Sequence, residues 1–357
     1  MKGYQGIKLD GIYREKEGLV SFCEEKLSDK AIPEWIKPVY SFILEWVSDS
    51  AHVMGCTSGS TGKPKTIRLY KKHMIASAAK TVKYFNLSSE KTVLLCLSAN
   101  YIAGKMMLVR AFVGGFNLLL KEPTGNPLNE IQTKVDFAAM IPMQVTNCLN
   151  SICQGDKVGV VIIGGGALNE DIKSGLHNAG TVCYETYGMT ETVSHVAVRR
   201  VGEANFRAMP NVLFQVDSRN CLVIDAPDVL NEKLITNDIV DLVSPLEFKW
   251  KGRYDNVINS GGIKLFPEEI EKKLSKVLSA ACLVSSVEDE VLGEKVVLVV
   301  LEGCNINEVK TILSLNTSLS KYEKPKEIVQ IPSFPCTDTD KIQRGEVKNL
   351  IGRILNK

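Results

Sequence analysis

Met54-Gly55-Cys56-Thr57-Ser58-Gly59-Ser60-Thr61-Gly62-Lys63-Pro64-Lys65 crowds hydroxyl side chains, glycines and two lysines into one short run. Such a run aims backbone N–H groups, hydroxyls and ammonium charges at a single polyanion, and glycine lets the backbone approach it with no Cβ in the way. That is the chemistry of phosphate binding. A Walker A loop needs G-x-x-x-x-G-K-[ST] running straight into a helix. Here Pro64 follows Gly62-Lys63, and Thr57 stands where the first glycine belongs, so the Walker reading fails. An ordinary Ser/Gly surface turn accounts for the small polar residues but not for two lysines flanking a proline.

Downstream of this stretch, short apolar runs at 92–97, 117–120, 137–141 and 158–163 alternate with helical patterns over 71–84, 102–112, 143–152 and 169–177. Such alternation predicts a largely parallel sheet covered on both faces, with ligands at the carboxyl ends of its strands. Two strand ends are marked, one by Gly164-Gly165-Gly166 and one by Tyr184-Glu185-Thr186-Tyr187-Gly188-Met189-Thr190-Glu191-Thr192. A triple glycine alone is as often a tight turn as a ligand contact. Upstream, residues 1–50 read as helices with aromatic anchors, because apolar positions between Glu34 and Trp46 recur at three- and four-residue intervals. After Val223 the pattern becomes β-like and reaches Gly252-Arg253-Tyr254-Asp255-Asn256. Pro267 followed by two acids then opens a helix. Strands over 281–287 and 295–301, a helix over 306–313 and a terminal helix from Arg344 complete a smaller unit. The expected fold class is α/β: a large N-terminal domain with mostly parallel sheets and flanking helices, residues 1–252, and a small C-terminal α+β lid domain, residues 253–357.

With 357 residues, 45% hydrophobic and 24% charged, and a formal net charge of +2, the chain has the composition of an ordinary globular protein of two domains. No run of basic residues marks a nucleic-acid partner. The ten cysteines are scattered, mostly in apolar segments, and only four histidines accompany them, which favours buried reduced thiols over disulfides or a metal centre. The start lacks an apolar leader and no apolar stretch approaches a membrane span, so a cytoplasmic location without membrane insertion is expected. Nothing in the sequence specifies an oligomeric state.

The pattern T-S-G-S-T-G-x-P-K, followed in order by the triple glycine and Y-G-M-T-E, closely resembles the adenylate-forming (AMP-binding) enzymes, among them acyl- and aryl-CoA ligases, luciferases and peptide-synthetase adenylation domains. These enzymes use ATP and Mg²⁺ to turn a carboxylate into an acyl-adenylate, then pass the acyl group to a thiol such as that of coenzyme A. By this resemblance Thr57, Ser58, Gly59, Ser60, Thr61, Gly62 and Lys63 hold the β- and γ-phosphates, and Lys65 adds charge. Tyr187 stacks on adenine, Gly164, Gly165 and Gly166 let the backbone approach the nucleotide, Thr190 meets the α-phosphate, and Glu191 is the Mg²⁺ ligand. Asp238, in T-N-D where the family has T-G-D, accepts from the ribose hydroxyls. Arg253 reaches the ribose or α-phosphate, and Asp255 marks the hinge. In Asn259-Ser260-Gly261-Gly262-Ile263-Lys264 the resemblance puts Gly262 beside the pantetheine and Lys264 near a CoA phosphate. Lys341, in a K-I-x-R segment where Asp340 replaces the usual preceding glycine, is the lysine that bridges the acid and the phosphate during adenylation.

Over residues 50 to the end the resemblance is strongest to the o-succinylbenzoate–CoA ligases of menaquinone synthesis, whose substrate is an aromatic acid with a second carboxylate. The helix Ile102-Ala103-Gly104-Lys105-Met106-Met107-Leu108-Val109-Arg110 offers two cations in an apolar setting. Lys105 and Arg110 either grip that carboxylate, with Ser194 and His195 as polar neighbours, or extend to water. Another aryl- or acyl-CoA ligase, a carrier-loading adenylation domain and a nucleotide-binding regulatory protein without turnover are the alternatives.

Overall fold

The structure is a computed structural model and describes residues 6–56, 66–278, 280–337 and 342–355. The chain opens with a hairpin, β1 (Ile7–Leu9) and β2 (Ile12–Arg14), where helices were expected. Its two-residue turn is Asp10-Gly11, both at positive φ (46° and 85°), the conformation an Asp-Gly hairpin turn requires. Helices α1 (Lys16–Ser28) and α2 (Lys37–Val47) follow. Strands β3 (His52–Cys56) and β4 (Thr66–Tyr70) pair antiparallel with Cys56 opposite Thr66, so the two flanks of the 57–65 stretch are tied together; the stretch itself lies outside the described residues.

Next come α3 (Lys71–Tyr84), β5 (Thr92–Leu95), α4 (Ile102–Gly114), β6 (Asn117–Leu120) and β7 (Val135–Met140). The single helix expected over 143–152 is two, α5 (Pro142–Asn147) and α6 (Leu149–Gln154). Strand β8 (Val158–Ile163), α7 (Glu170–Leu176) and β9 (Val182–Gly188) complete the parallel region. Strands β1, β6, β5, β7, β8 and β9 lie side by side, all parallel. Val93 and Leu95 of β5 face the core under α1 to α4, whereas Leu94 and Cys96 face the core under α5 to α7, as alternation along a strand buried on both faces demands. From β5 the chain steps to β6 on one side and returns to β7 on the other, so the sheet's switch point lies between β5 and β7, with β8 beside it.

Beyond β9 the sheet continues antiparallel through β10 (His195–Arg200), β11 (Phe206–Ala208), β12 (Leu213–Val216), β13 (Cys221–Asp225), β14 (Leu234–Ser244) and β15 (Glu247–Arg253), for thirteen strands in all. Connections here are too short for a helical crossover; β14 and β15 are joined by Pro245-Leu246 alone. A 3₁₀ turn, Tyr254–Asn256, then leads to a second sheet of five strands. It comprises β16 (Ile258–Ser260), β17 (Ile263–Leu265), β18 (Cys282–Asp289), β19 (Gly293–Leu301) and β20 (Glu327–Ile331). Helices α8 (Pro267–Leu274) and α9 (Ile306–Leu315) pack on one face and α10 (Arg344–Leu355) on the other. Helix α8 has Pro267 at its start and Glu268 and Glu269 in its first turn, as expected. Lys272 on α8 reaches toward Glu170 on α7 at 4.0 Å, joining the two parts.

Candidate active site

The marked strand ends lie at the carboxyl edge of the parallel sheet. Gly164 follows β8 directly, and a Cβ there would stand 2.9 Å from Thr186 Oγ1 on neighbouring β9. Gly165 is at φ +85°, a conformation that excludes most side chains. Beside them β9 delivers Tyr187, whose ring meets Phe248 edge-on at 5.1 Å and Phe206 at 5.9 Å. Tyr187 donates its hydroxyl to Asp238 Oδ2 at 2.7 Å, and Trp250 donates Nε1–H to Asp238 Oδ1 at 3.1 Å. Burial, and then the adjacent Asp238 carboxylate, raise the Tyr187 pKa well above the usual phenol value, so this hydroxyl stays a donor. Asp238 pairs with Arg253 across β14 and β15. Burial opposes the charge of Arg253, but Asp255, at 2.9 Å, and Asp238 more than offset it. Asn237 also donates to Asp255, so the T-N-D turn, the 3₁₀ turn and Arg253 form one cluster.

After Gly188 the chain turns sharply into β10. Thr192, fully buried, ties this turn: Met189 N donates to its hydroxyl at 2.9 Å, and that hydroxyl lies 2.7 Å from the Ser194 carbonyl. Val193 sits at φ +67°, a strained value for a β-branched residue. The turn separates two sets of groups. Thr190 is buried with its methyl beside Gly55, at the end of the strand that leads into the 57–65 stretch, and Glu191 is exposed. On the other side Ser194 and His195 point into the protein.

There they meet Arg110. Helix α4 is apolar nearly all round and is buried from Met106 to Phe112, so its arginine is only 2% exposed. Arg110 Nη2 donates to Ser194 Oγ at 2.7 Å, Nη1 lies 3.3 Å from Met107 Sδ, and Nε has no partner among the described residues. No carboxylate among the described residues pairs with it. Burial pushes the guanidinium pKa down to about 10, so it is still charged at neutral pH. Burial, and then Arg110, push His195 down to about 3, which keeps that ring neutral.

Lys105 does not join this group. Five residues from Arg110, it points about 140° away around the helix. Its ammonium instead donates to the Met54 carbonyl at 2.6 Å and lies over the Phe42 ring, bracing β3. In the second sheet Gly261 and Gly262 form the two-residue turn between β16 and β17, at φ +58° and +77°, and a Cβ on Gly262 would meet nothing within 4 Å. Lys264 is exposed. Thr57, Ser58, Gly59, Ser60, Thr61, Gly62, Lys63, Lys65 and Lys341 lie outside the described residues; Cys336 and Ile342, which flank 337–341, bridge to one another. Reading the motifs passes over Trp250, Thr192 and Thr81. Of these, only Thr192, directly after T-E, had a positional signal.

As for Mg²⁺, no group of three His, Cys, Asp or Glu side chains is gathered among the described residues. Glu191, exposed, offers a hard carboxylate oxygen of the kind Mg²⁺ takes, and phosphate oxygens and water would have to fill the rest of such an ion's shell.

Comparisons with known proteins give the family. The AMP-binding enzyme family matches residues 24–225. The 2-succinylbenzoate–CoA ligase of Staphylococcus epidermidis is 25% identical over 343 residues, covering 87% of this chain and 71% of that protein. An acyl-CoA synthetase (AMP-forming)/AMP-acid ligase II-like protein from Dyadobacter fermentans is 33% identical, with a TM-score of 0.60 over 93% of this chain and 97% of that one. The o-succinylbenzoate CoA synthetase of Bacillus subtilis, solved with its acyl-adenylate intermediate, has a TM-score of 0.74 at 19% identity over 83% of this chain and 68% of that one, a likeness of fold. The glycines at the end of β8, Tyr187 and the Thr190-Glu191 turn all fall within residues 24–225, more than half of the chain, and the chain belongs to the AMP-binding enzyme family.

Proposed function

We propose that the protein is a carboxylate–CoA ligase that converts o-succinylbenzoate, ATP and CoA into o-succinylbenzoyl-CoA, AMP and diphosphate. The observation that carries the choice of acid is Arg110, a buried guanidinium facing Ser194 and His195 with no carboxylate partner among the described residues. An unpaired buried charge is costly to a fold, and a substrate's second carboxylate would supply what is missing. A fatty acid or plain benzoate has no such group.

In the first half-reaction a carboxylate oxygen of the acid attacks the α-phosphorus, and the bond to the β-phosphate oxygen breaks to release diphosphate. Two anions meet in this step, so positioning and charge neutralisation carry the catalysis. The 57–65 stretch is assigned to the β- and γ-phosphates, Lys341 and Thr190 to the α-phosphate and acid, Tyr187 and Gly164 to Gly166 to adenine, and Asp238 with Arg253 to ribose. Both Asp238 oxygens already accept one bond, but each has a further lone pair for a ribose hydroxyl. Mg²⁺ at Glu191 would neutralise phosphate charge. In the second half-reaction the thiol sulfur attacks the acyl carbon and AMP leaves; residues 253–357 serve as a lid turning about Asp255, with Gly262 and Lys264 brought to the CoA arm. The unbridged cysteines among the described residues suit a cytoplasmic setting.

Mass spectrometry tests the proposal. With ATP, Mg²⁺ and o-succinylbenzoate an acyl-adenylate should form, and adding CoA should give the thioester. Lys341→Ala should lower adenylation by about 10²- to 10³-fold, the loss expected for one preorganised charge. Absence of both products with every acid tried would leave a nucleotide-binding protein without turnover, and preference for a monocarboxylate would discard o-succinylbenzoate.

A further inference from the structure

Arg110 is connected to helix α3 through Ser194, His195 and Thr81, and the proposed chemistry gives Thr81 no part. Thr81, fully buried on α3, lies 3.2 Å from the Ser77 carbonyl one turn back and donates its single proton there. Toward His195 Nε2, 3.4 Å away, the Thr81 oxygen can therefore only accept, which puts the ring's proton on Nε2. Nδ1 of the neutral ring is then bare and lies 3.4 Å from Ser194 Oγ. Ser194 also lies 2.7 Å from Arg110 Nη2, and a guanidinium has no lone pair to offer. So Ser194 accepts from Arg110 and gives its own proton to Nδ1. With this one assignment, each of the four contacts from Arg110 Nη2 to the Ser77 carbonyl joins a donor to an acceptor. The contacts join residues 114 positions apart, on α3, α4 and the start of β10.

We propose that Thr81 is a positioning residue for acid selection, holding His195 in its Nε2–H tautomer so that Ser194 serves as an acceptor that fixes the Arg110 guanidinium. The orientation matters because Ser194 and Met107 engage both terminal nitrogens of Arg110 and leave Nε unpartnered among the described residues. If the ring takes the other tautomer, Nδ1–H competes with Arg110 for the Ser194 oxygen and the serine proton loses its acceptor. The guanidinium then loses its anchor. This inference rests on the reading of Arg110 as the partner of the substrate's second carboxylate.

Two measurements on the full chain test it. Long-range proton–nitrogen correlation spectra of histidine-labelled protein give each ring's tautomer, with His195 identified by its loss in His195→Gln. The expected result is Nε2–H in the unaltered chain and in Thr81→Ser, and a shift toward Nδ1–H in Thr81→Val. Kinetically, Thr81→Val should raise the KM for o-succinylbenzoate about five- to tenfold, leave kcat and the KM for ATP unchanged, and be rescued by Thr81→Ser. An Nδ1–H or doubly protonated ring in the unaltered chain overturns the proposal, as does failure of Thr81→Ser to rescue. Equal losses in kcat and ATP affinity would assign Thr81 to the fold alone. If the unaltered chain does not use o-succinylbenzoate, the reading of the acid fails, while the spectra still decide the tautomer.

Discussion

Tyr187 gives its hydroxyl proton to Asp238 at 2.7 Å, so the side chain assigned to adenine also orients the carboxylate assigned to ribose. The ring and the hydroxyl therefore have separable jobs. The ring packs against Phe206 and Phe248, while the hydroxyl satisfies a carboxylate that is only 7% exposed.

Tyr187→Phe keeps the ring and removes one of the two donors to Asp238. Thermal unfolding should show a loss of about 1 to 3 kcal/mol, the cost of a buried acceptor left short, with the KM for ATP changed less than about threefold. Tyr187→Ala should raise the KM for ATP about tenfold or more, as loss of an aromatic stacking surface implies. Equal effects of the two variants on ATP would mean that the hydroxyl, not the ring, serves the nucleotide.

Arg110→Ala should lower kcat/KM for o-succinylbenzoate by about one to two powers of ten and change that for benzoate little, because a charge-assisted hydrogen bond contributes roughly 1.5 to 3 kcal/mol. Arg110→Met makes the opposite point about stability. It replaces an unpaired buried charge with an apolar chain of similar length, so the midpoint of denaturant unfolding should rise by the equivalent of about 1 to 3 kcal/mol while acid selectivity disappears. If Arg110→Met is less stable than the unaltered chain, the guanidinium is a structural element.

Motifs with a mechanism were legible, and contacts set by the fold were not. Gly164 to Gly166, Tyr187, Asp238, Arg253, Ser194, His195 and Arg110 come together in two adjoining clusters, because each sits at a strand end, in a turn or on a helix whose period could be read. Lys105 stands apart from Arg110 because the two cations lie on one helix but about 140° apart, a matter of rotation that proximity in sequence hides. The first hairpin was missed although Asp10-Gly11 between apolar residues is a turn signal; two three-residue strands are stable only because β1 adds to β6, 110 residues away in the Leu120–Asp10 contact. Thr81 and Trp250 carry no local signal, since their roles depend on elements distant in the chain.

The neutrality of His195 predicts a specific pH dependence. Its folded pKa, about 3, lies below the ordinary value of 6.5, so in the window between them the unfolded chain binds a proton that the folded chain does not. Stability is therefore present above about pH 6.5 and lost as the pH falls toward 3. Between roughly pH 7.5 and 5.5 the unaltered protein should lose about 1 kcal/mol more than His195→Gln in denaturant titrations. Parallel curves for the two proteins would show that His195 protonates in the fold with Arg110 still beside it.

The last prediction separates the turn from the thiol path at Gly262. Residues 261 and 262 both have positive φ and close a two-residue hairpin, which alone is enough to call for glycine. A Cβ on Gly262 meets nothing within 4 Å, so a side chain there is penalised by backbone conformation and not by its neighbours. Asparagine tolerates that conformation and tryptophan does not, so the backbone penalty must be measured before any blocking effect is inferred. Gly262→Asn should keep both half-reactions within about threefold, since the turn survives and the side chain is short. Gly262→Trp should leave acyl-adenylate formation without CoA largely intact, yet lower thioester formation by roughly 10²-fold, because the thiol can no longer reach its attacking position. Single-turnover transfer from preformed acyl-adenylate to CoA gives the second number directly. A Gly262→Asn variant as slow in that step as Gly262→Trp would make Gly262 a requirement of the hairpin, and the thiol would then have to approach elsewhere.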